Sequence, residues 1–363
     1  MTQTALKAPA DGFVSAFPDT RFDAILVVSF GGPEGMDDVI PFLENVTRGR
    51  NVPRERLEEV AHHYELFDGV SPINAQNRAL INAMQVELGG RGIELPIYFG
   101  NRNWDPFLAD TLRQMAADGV ERALAFFTSA YSSYSGCRQY REDLFNAQQA
   151  VGPQAPEVLK TRVFFNHPGW IEANADHVKD ALAQVPGGRS AHLAFTAHSI
   201  PMAMARDCRY EDQLRESARL VAKAVGATDT ALVYQSRSGP PHVPWLGPDI
   251  LDHLRELAGR GVTDVVISPL GFVSDHLEVL FDLDVEARDT AAELGLNLVR
   301  APSAGTHPAF VAMIRELIEE RLGKSAERSA VGRLSPSPDV CPVDCCLPGT
   351  GRPSPWAGVT PVT

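Results

Sequence analysis

The sequence predicts an α/β protein built from two similar doubly wound halves, and three observations carry that expectation. Six short runs are apolar and rich in β-branched or aromatic residues: Phe22 to Ser29, Leu95 to Phe99 and Arg122 to Phe127, then Ala191 to Thr196, Thr230 to Tyr234 and Asp264 to Ser268. Helical patterns of about ten or more residues separate most of them, so strand and helix alternate. The runs are close to continuously apolar, as in parallel sheets covered by helices on both faces.

Taken in order, the first strand leads into Phe30-Gly31-Gly32-Pro33. These glycines miss the dinucleotide fingerprint, because the third glycine and the following helix start do not fit, and a nicotinamide cofactor is excluded. An insert over 39–90 follows, with a helical pattern at Val39 to Thr47, a basic turn at Arg48-Gly49-Arg50 and a second helix from Pro53 to Leu66. Its position places it over the strand ends as a lid. The first half is assigned to 21–165 and the second to 166–323, after a flexible segment 1–20. The remaining segment, 324–363, is rich in Pro, Ser and Gly, which predicts disorder unless something ties it down.

Composition narrows the function. The 363 residues are 44% hydrophobic, enough for a large core or two domains. A net charge of −13 with scattered Lys and Arg excludes nucleic acid as the main partner, since phosphate binding needs a concentrated basic surface. The first twenty residues resemble neither a secretory signal nor an anchor, and no stretch reaches the ~20 apolar residues that span a bilayer. A cytoplasmic location without an integral membrane segment is expected. Five cysteines in such a chain are not expected to form structural disulfides, yet Cys341, Cys345 and Cys346 crowd together near the C-terminus.

In doubly wound sheets the ligand sits outside the carboxyl ends of the strands. The segments there are rich in rings, glycine and polar groups, as suits a large, flat, partly apolar ligand. His198 follows a buried-strand pattern directly, where an imidazole can accept a proton or ligate a metal. Glu278 occupies the corresponding loop two strands later, so both side chains can face one cavity. Glu278, Asp282 and Glu286 are four apart. On a helix they share a face and repel unless something positive compensates, which suits a path for a divalent cation or for protons. The plain alternative is a solvated acidic face, with Asp275 and Glu278 as N-cap and capping-box partner.

The segments Thr196-Ala197-His198-Ser199-Ile200-Pro201, Tyr234-Gln235-Ser236-Arg237-Ser238-Gly239 with Pro244-Trp245-Leu246, and Pro269 through Leu280 together resemble ferrochelatases, which insert ferrous iron into a porphyrin. Ser29 to Glu34 and Gly69-Val70-Ser71-Pro72 extend the resemblance, which runs from about Phe22 to Leu322. It implies two Rossmann-like domains, each on a four-stranded parallel sheet, in a chelatase-like fold with a porphyrin cleft between them. It implies that His198 and Glu278 handle Fe²⁺ and the pyrrole protons, and that Asp282 and Glu286 continue a metal or proton path. By the same resemblance Ser71 and Tyr140 hold the porphyrin periphery, and Arg48 or Arg50 meets its propionates; an exposed basic turn, a helix-capping Ser71 and a core Tyr140 are the structural alternatives. Phe30 lines the site where some members carry a tyrosine that can ligate iron, so that metal route is closed.

The tail cysteines resemble those of ferrochelatases with a C-terminal [2Fe-2S] centre, which needs four thiolates. Cys137 is the preferred fourth, with Cys208 the alternative, and the adjacent pair Cys345-Cys346 departs from the expected spacing. Such a centre would staple the tail to the body, with order there only in the iron-loaded protein. Phe30, the lid segment Val46 to Arg50 and the cysteine-bearing tail resemble the actinobacterial branch, which implies coproporphyrin III as substrate and protoporphyrin IX as the alternative. The expected partners are the porphyrin, ferrous iron and haem-pathway enzymes; no organic cofactor is expected. Chelatases of sirohydrochlorin share the duplicated plan, but the Gln-Ser-Arg and Ser-Asp-His-Leu-Glu segments count against them. A tetrapyrrole-binding protein without activity is the reading from a different class.

Overall fold

The computed structural model describes residues 20–49, 52–188, 190–240, 242–342 and 344–349. Nearly all of segment 1–20, and Arg50 of the basic turn, lie outside the described residues. The first half comprises β1 (Ala24–Ser29), α1 (Met36–Val46), α2 (Arg54–Glu65), α3 (Ile73–Gly89), β2 (Ile97–Asn101), α4 (Leu108–Ala117), β3 (Arg122–Phe127), α5 (Gln139–Val151) and β4 (Glu157–Lys160). The second comprises α6 (Pro168–Leu182), β5 (His192–His198), α7 (Met202–Arg206), α8 (Tyr210–Val225), β6 (Thr230–Gln235), α9 (Ile250–Gly259), β7 (Asp264–Ser268), α10 (Leu277–Val279), α11 (Arg288–Glu293), β8 (Asn297–Arg300) and α12 (Pro308–Arg321).

The strands form two four-stranded parallel sheets of the same order, β2-β1-β3-β4 and β6-β5-β7-β8. The central strands β1 and β7 are buried at every residue, which is why their middles are continuously apolar rather than alternating, with polar Ser29, Asp264 and Ser268 only at their ends. The outer strands β4 and β8 are four residues long and mix polar with apolar side chains, so they are absent from the six runs legible in the sequence. In each sheet the chain reverses its direction of travel beside the central strand, between β1 and β3 and between β5 and β7. Ligands bind at such switch points because the connecting loops splay apart there.

One apolar core runs through both halves. It joins Ile25, Leu124 and Phe126 of the first sheet to Phe195 and Val266 of the second through Tyr131, Trp170 and Phe310. Trp170 is fully buried against Phe164 and Phe310, and its indole N–H donates to the Tyr131 hydroxyl at 3.3 Å. That hydroxyl in turn donates to the Leu270 carbonyl of the second half at 3.0 Å. The lid divides in two. Helices α1 and α2 make a small core of their own around Phe42, Leu57 and Tyr64, whereas α3 sends Leu80, Met84 and Leu88 into the main core.

Segment 324–349 is folded onto the body, the outcome expected of the tail if something ties it down. The ties are specific: Val331 and Leu334 bond to Asn166, Ser329 accepts from Arg162 at 2.8 Å, and Arg333 donates its backbone N–H to Glu216. Composition does not register such partners, which is why the segment reads as disordered in isolation. Arg162 also forks onto Glu320 of α12 at 2.8 and 2.9 Å, with the guanidinium side chain fully buried. Removing one partner of a buried pair leaves an uncompensated charge, so Glu320→Ala is expected to cost ~3–5 kcal/mol. Urea unfolding monitored by circular dichroism measures it, and Glu320→Gln should lose less because it keeps an acceptor.

Candidate functional site

His198 closes β5, and a glycine lets the loop after β7 reach it. Gly271, just after β7, lies so close to β5 that an added Cβ would meet the Ala197 Cβ at 2.6 Å, and its N–H donates to the Thr196 carbonyl at 2.9 Å. The loop then runs to Glu278, whose Oε2 stands 3.6 Å from His198 Nε2. Both side chains remain accessible, at 36% and 53% exposure, so the pair faces open space rather than the core. His198 Nδ1 lies 2.5 Å from the Ser199 carbonyl oxygen. A carbonyl only accepts, so Nδ1 carries a proton and Nε2 is the ring nitrogen turned to the carboxylate. An imidazole nitrogen and a carboxylate facing one another can hold a proton or a cation between them.

The acids behind Glu278 follow a geometry that the sequence does not announce. Leu280–Ala287 is π-helical and continues α10 into α11. Asp282 and Glu286 lie on this π turn and Glu278 on the α turn just before it, so the three acids follow one another along a continuous helical stretch. Asp282 Oδ2 accepts from Gln235 Nε2 at 3.2 Å and from Ser236 Oγ. Burial, opposed by the Ser236 bond and reinforced by Glu278 and Glu286, pushes its carboxyl up to about 7. Burial also raises Glu286, with Asp249 adding repulsion. Ser236 holds φ 61, a left-handed conformation that costs a non-glycine residue ~1 kcal/mol or more, and that strain keeps its hydroxyl aimed at Asp282. Gln235 and Ser236 lie in a segment conspicuous in the sequence, but their role as hydrogen-bond donors to Asp282 has no local signal.

The capping-box alternative is not realised. His276 is the N-cap of α10 and makes no side-chain cap, while Asp275 pairs with Arg300 at 3.3 Å. Arg300 also forks onto Asp284 at 2.6 and 2.8 Å. The backbone N–H of Asp275 donates to Gln76 of α3 at 2.8 Å, tying this loop to the other half. His276 is kept neutral by burial and packs edge-on against Phe272.

The first half faces this pair with an aromatic wall. Phe42 and Tyr64 join Leu277, the residue before Glu278, in the lid core, and Phe30 and Trp104 pack against it. The hydroxyl of Tyr64 is held un-ionised by burial and by the charge of Glu278. Lid and acidic row touch directly where His63 stacks on Phe281, with ring centroids 3.8 Å apart. The guanidinium of Arg102 lies 5.6 Å from the Phe30 ring and 4.5 Å from the Tyr140 ring, anchored by Asp143 at 2.6 Å. Tyr140 is itself buried, packed on Phe127, so it sits behind Arg102 rather than at the surface. Ser71 is buried beneath Gly32, where an added Cβ would approach it to 2.7 Å, and its N–H donates to the Pro33 carbonyl at 2.9 Å. It caps no helix: Pro72 is the N-cap of α3. Arg48 is exposed on the lid turn and bonds to Asn45.

The cysteines form a second grouping. Cys137 shares a hydrogen bond with Cys341, Cys341 with Cys345, and Cys345 with Cys346. Hydrogen bonds from Cys137 and Cys345, aided by Lys160 and Arg141, hold Cys341 far below the usual thiol range, while Cys137 and Cys345 are raised as its donors. Cys208 stands apart, with its thiol turned to the Ala205 carbonyl at 3.6 Å. Among the described residues no three His, Cys, Asp or Glu side chains converge on a point that would hold a single metal ion. The four sulfurs form a chain of contacts rather than a cage.

Two parallel α/β halves, the second carrying an imidazole–carboxylate pair with an acidic row behind it and the first facing it with aromatic rings, define a protein that handles a cation and protons against a large flat ligand. The ferrochelatase family model matches residues 22–322, and the chain belongs to the ferrochelatase family. It is 61% identical to the ferrochelatase of Rhodopirellula baltica, over 94% of this chain and 97% of that one. It is 54% identical to the coproporphyrin III ferrochelatase of Nocardia farcinica, over 90% and 97%, and 50% identical to that of Streptomyces coelicolor, over 92% and 95%. No helix among the described residues is long and apolar enough to cross a membrane.

Asp282 sets a measurable pH dependence. A carboxyl raised to about 7 when folded binds an extra proton between its unfolded value, about 4, and 7, so stability falls as pH rises through that window and levels off above it. Asp282→Asn removes the slope: relative to wild type the variant should gain ~1–4 kcal/mol between pH 4 and pH 8. Denaturant unfolding at several pH values reads this directly; parallel curves for the two proteins would contradict it.

Proposed function

We propose that this protein inserts ferrous iron into coproporphyrin III, giving the iron porphyrin from which haem is completed. The observation that carries the reading is His198 Nε2 opposed to the Glu278 carboxylate at 3.6 Å at the mouth of a switch point. Metallation must strip water from Fe²⁺, take two N–H protons from the macrocycle and bend the ring. His198 and Glu278 supply the acceptors for the first two tasks. Asp282, poised near neutrality, passes a proton on toward Glu286. The wall of Phe30, Phe42 and Trp104 packs the ring face and favours its distorted form. Phe30 offers no ligand to iron, so the metal route relies on the second half. Ser71 and Tyr140 act from behind this surface, supporting the Gly32 loop and the Arg102 guanidinium that the porphyrin edge meets. Arg48 is placed on the lid to meet a propionate, and Arg50 is its partner in sequence.

Coproporphyrin carries four propionates against two on protoporphyrin IX, and the actinobacterial relatives at 50–54% identity are named for coproporphyrin III. The donor set Cys137, Cys341, Cys345 and Cys346, gathered by sulfur contacts with Lys160 and Arg141 beside it, fits a [2Fe-2S] centre with two thiolates per iron. When bound, such a centre would supply one-electron redox capacity and a cross-link between the turn before α5 and the tail. Its four ligands do not include His198 or Glu278, and iron insertion proceeds at that separate pair.

Anaerobic incubation with Fe²⁺ and each porphyrin, followed by absorbance, tests the assignment. A kcat/KM for coproporphyrin III at least ~10-fold above that for protoporphyrin IX is expected, a margin of about 1.4 kcal/mol. Binding of either ring without metallation would instead favour a carrier. His198→Ala should lower kcat ~10²–10⁴-fold with an unchanged unfolding midpoint, since it removes a partly exposed proton acceptor and no packing.

A further inference from the structure

The π-helical stretch behind Glu278 is tied to both edges of the second sheet. Asp282 accepts from Gln235, the last residue of the edge strand β6, and from Ser236 beside it. Asp284, two residues on, accepts from Arg300, the last residue of the opposite edge strand β8. The sheet order is β6-β5-β7-β8, so His198 at the end of β5 lies between the two ties. Arg300 also does more than match Asp284. Its Nε and Nη2 fork onto the two Asp284 oxygens at 2.6 and 2.8 Å, while Nη1 and Nη2 reach Asp275 at 3.3 and 3.5 Å. One guanidinium therefore grips the chain on both sides of Glu278, which follows Asp275 by three residues and precedes Asp284 by six. Asp275 is held a second time through its backbone N–H, which donates to Gln76 of the first half at 2.8 Å.

Glu278 is half exposed and stands 3.6 Å from His198, beyond hydrogen-bond reach, so the backbone that carries it sets its position. An exposed ion pair would fix that backbone only loosely. The side chains of Arg300 and Asp275 are instead 18% and 12% exposed, and a forked contact fixes direction as well as distance. We propose that Arg300 is a positioning residue for iron insertion: by gripping Asp275 and Asp284 with one guanidinium, it keeps Glu278 at its distance from His198. This rests on the function proposed above. A shift of ~1 Å at a reacting group can lower a rate ~10²-fold, and segment 275–284 carries both Glu278 and Asp282. Charge alone does not replace the grip. A lysine keeps the charge but is a single point donor, which cannot fork onto Asp284 and reach Asp275 at once.

The test measures anaerobic insertion of Fe²⁺ into coproporphyrin III by the full-length protein, with the folded fraction of each variant taken from circular dichroism. Arg300→Lys and Asp284→Ala are each expected to lower kcat about tenfold or more. The KM for the porphyrin should stay within about twofold of wild type, because the aromatic wall that packs the ring lies on the first half. The double variant should lose no more than about a further twofold, since the two residues form one grip. If Arg300→Lys does not fold, Asp284→Ala, at a side chain 35% exposed, decides by the same kcat and KM criteria. An unchanged kcat in either folded single variant, losses that multiply in the double variant, or a loss confined to the porphyrin KM overturns the role of Arg300. A wild-type protein that metallates neither coproporphyrin III nor protoporphyrin IX overturns the function itself, and this role with it; an active wild type beside unaffected variants overturns the role alone.

Discussion

A neutral imidazole nitrogen and a carboxylate oxygen do not attract one another unless something positive sits between them. His198 and Glu278 are nevertheless held 3.6 Å apart, and the surrounding architecture exists to keep them so. The Ser199 carbonyl fixes the imidazole tautomer, and the Tyr210 hydroxyl donates to the His198 carbonyl at 3.0 Å, locking the end of β5. From the other side, Gly271 lets the loop after β7 press on Ala197, and Arg300 clamps Asp275 and Asp284 so that the loop and the π-helical turn cannot drift. A proton or a metal ion between the two is what joins them, which is the chemistry assigned to them.

The acidic row extends that logic. Glu278 is exposed, Asp282 is half-buried and pushed near neutrality, and Glu286 is raised by its own burial and by Asp249. A row whose middle carboxyl exchanges a proton near neutral pH moves charge more readily than a row of fully ionised ones. Gln235 with Ser236 restrains the middle one, which lies on the π-helical turn. The lid closes over the same row through His63 on Phe281 and Leu277 in the α1–α2 core, so lid and acids belong to one mechanical unit.

The cysteine grouping lies on a different part of the same scaffold yet depends on the same device, a π-helical turn. Tyr134–Arg138 is π-helical and delivers Cys137 to the tail sulfurs. The Ser135 carbonyl of that turn accepts from Arg102 at 3.4 Å, and Arg102 in turn covers the Phe30 ring. The two sites are therefore in physical contact through ordinary side chains, although each has its own donor set.

Much of this was legible without coordinates. Apolar continuity marked six of the eight strands, and strand-end placement singled out His198 and Glu278, because both signals are local in the chain. The clustering of three cysteines was visible too, and so was Cys137 as the preferred fourth, whereas the sulfur contacts that join it to the tail are tertiary. Other features required the fold. The π turn replaced an α-helix, Arg300 took Asp275 away from a capping role, Tyr140 went under Arg102, and the tail found partners in Arg162, Asn166 and Glu216. Each of these depends on a contact between residues far apart in sequence, and such contacts are decided by how the two halves share one core. The chain alone determined which groups stand at the strand ends; the tertiary structure decided which of them meet.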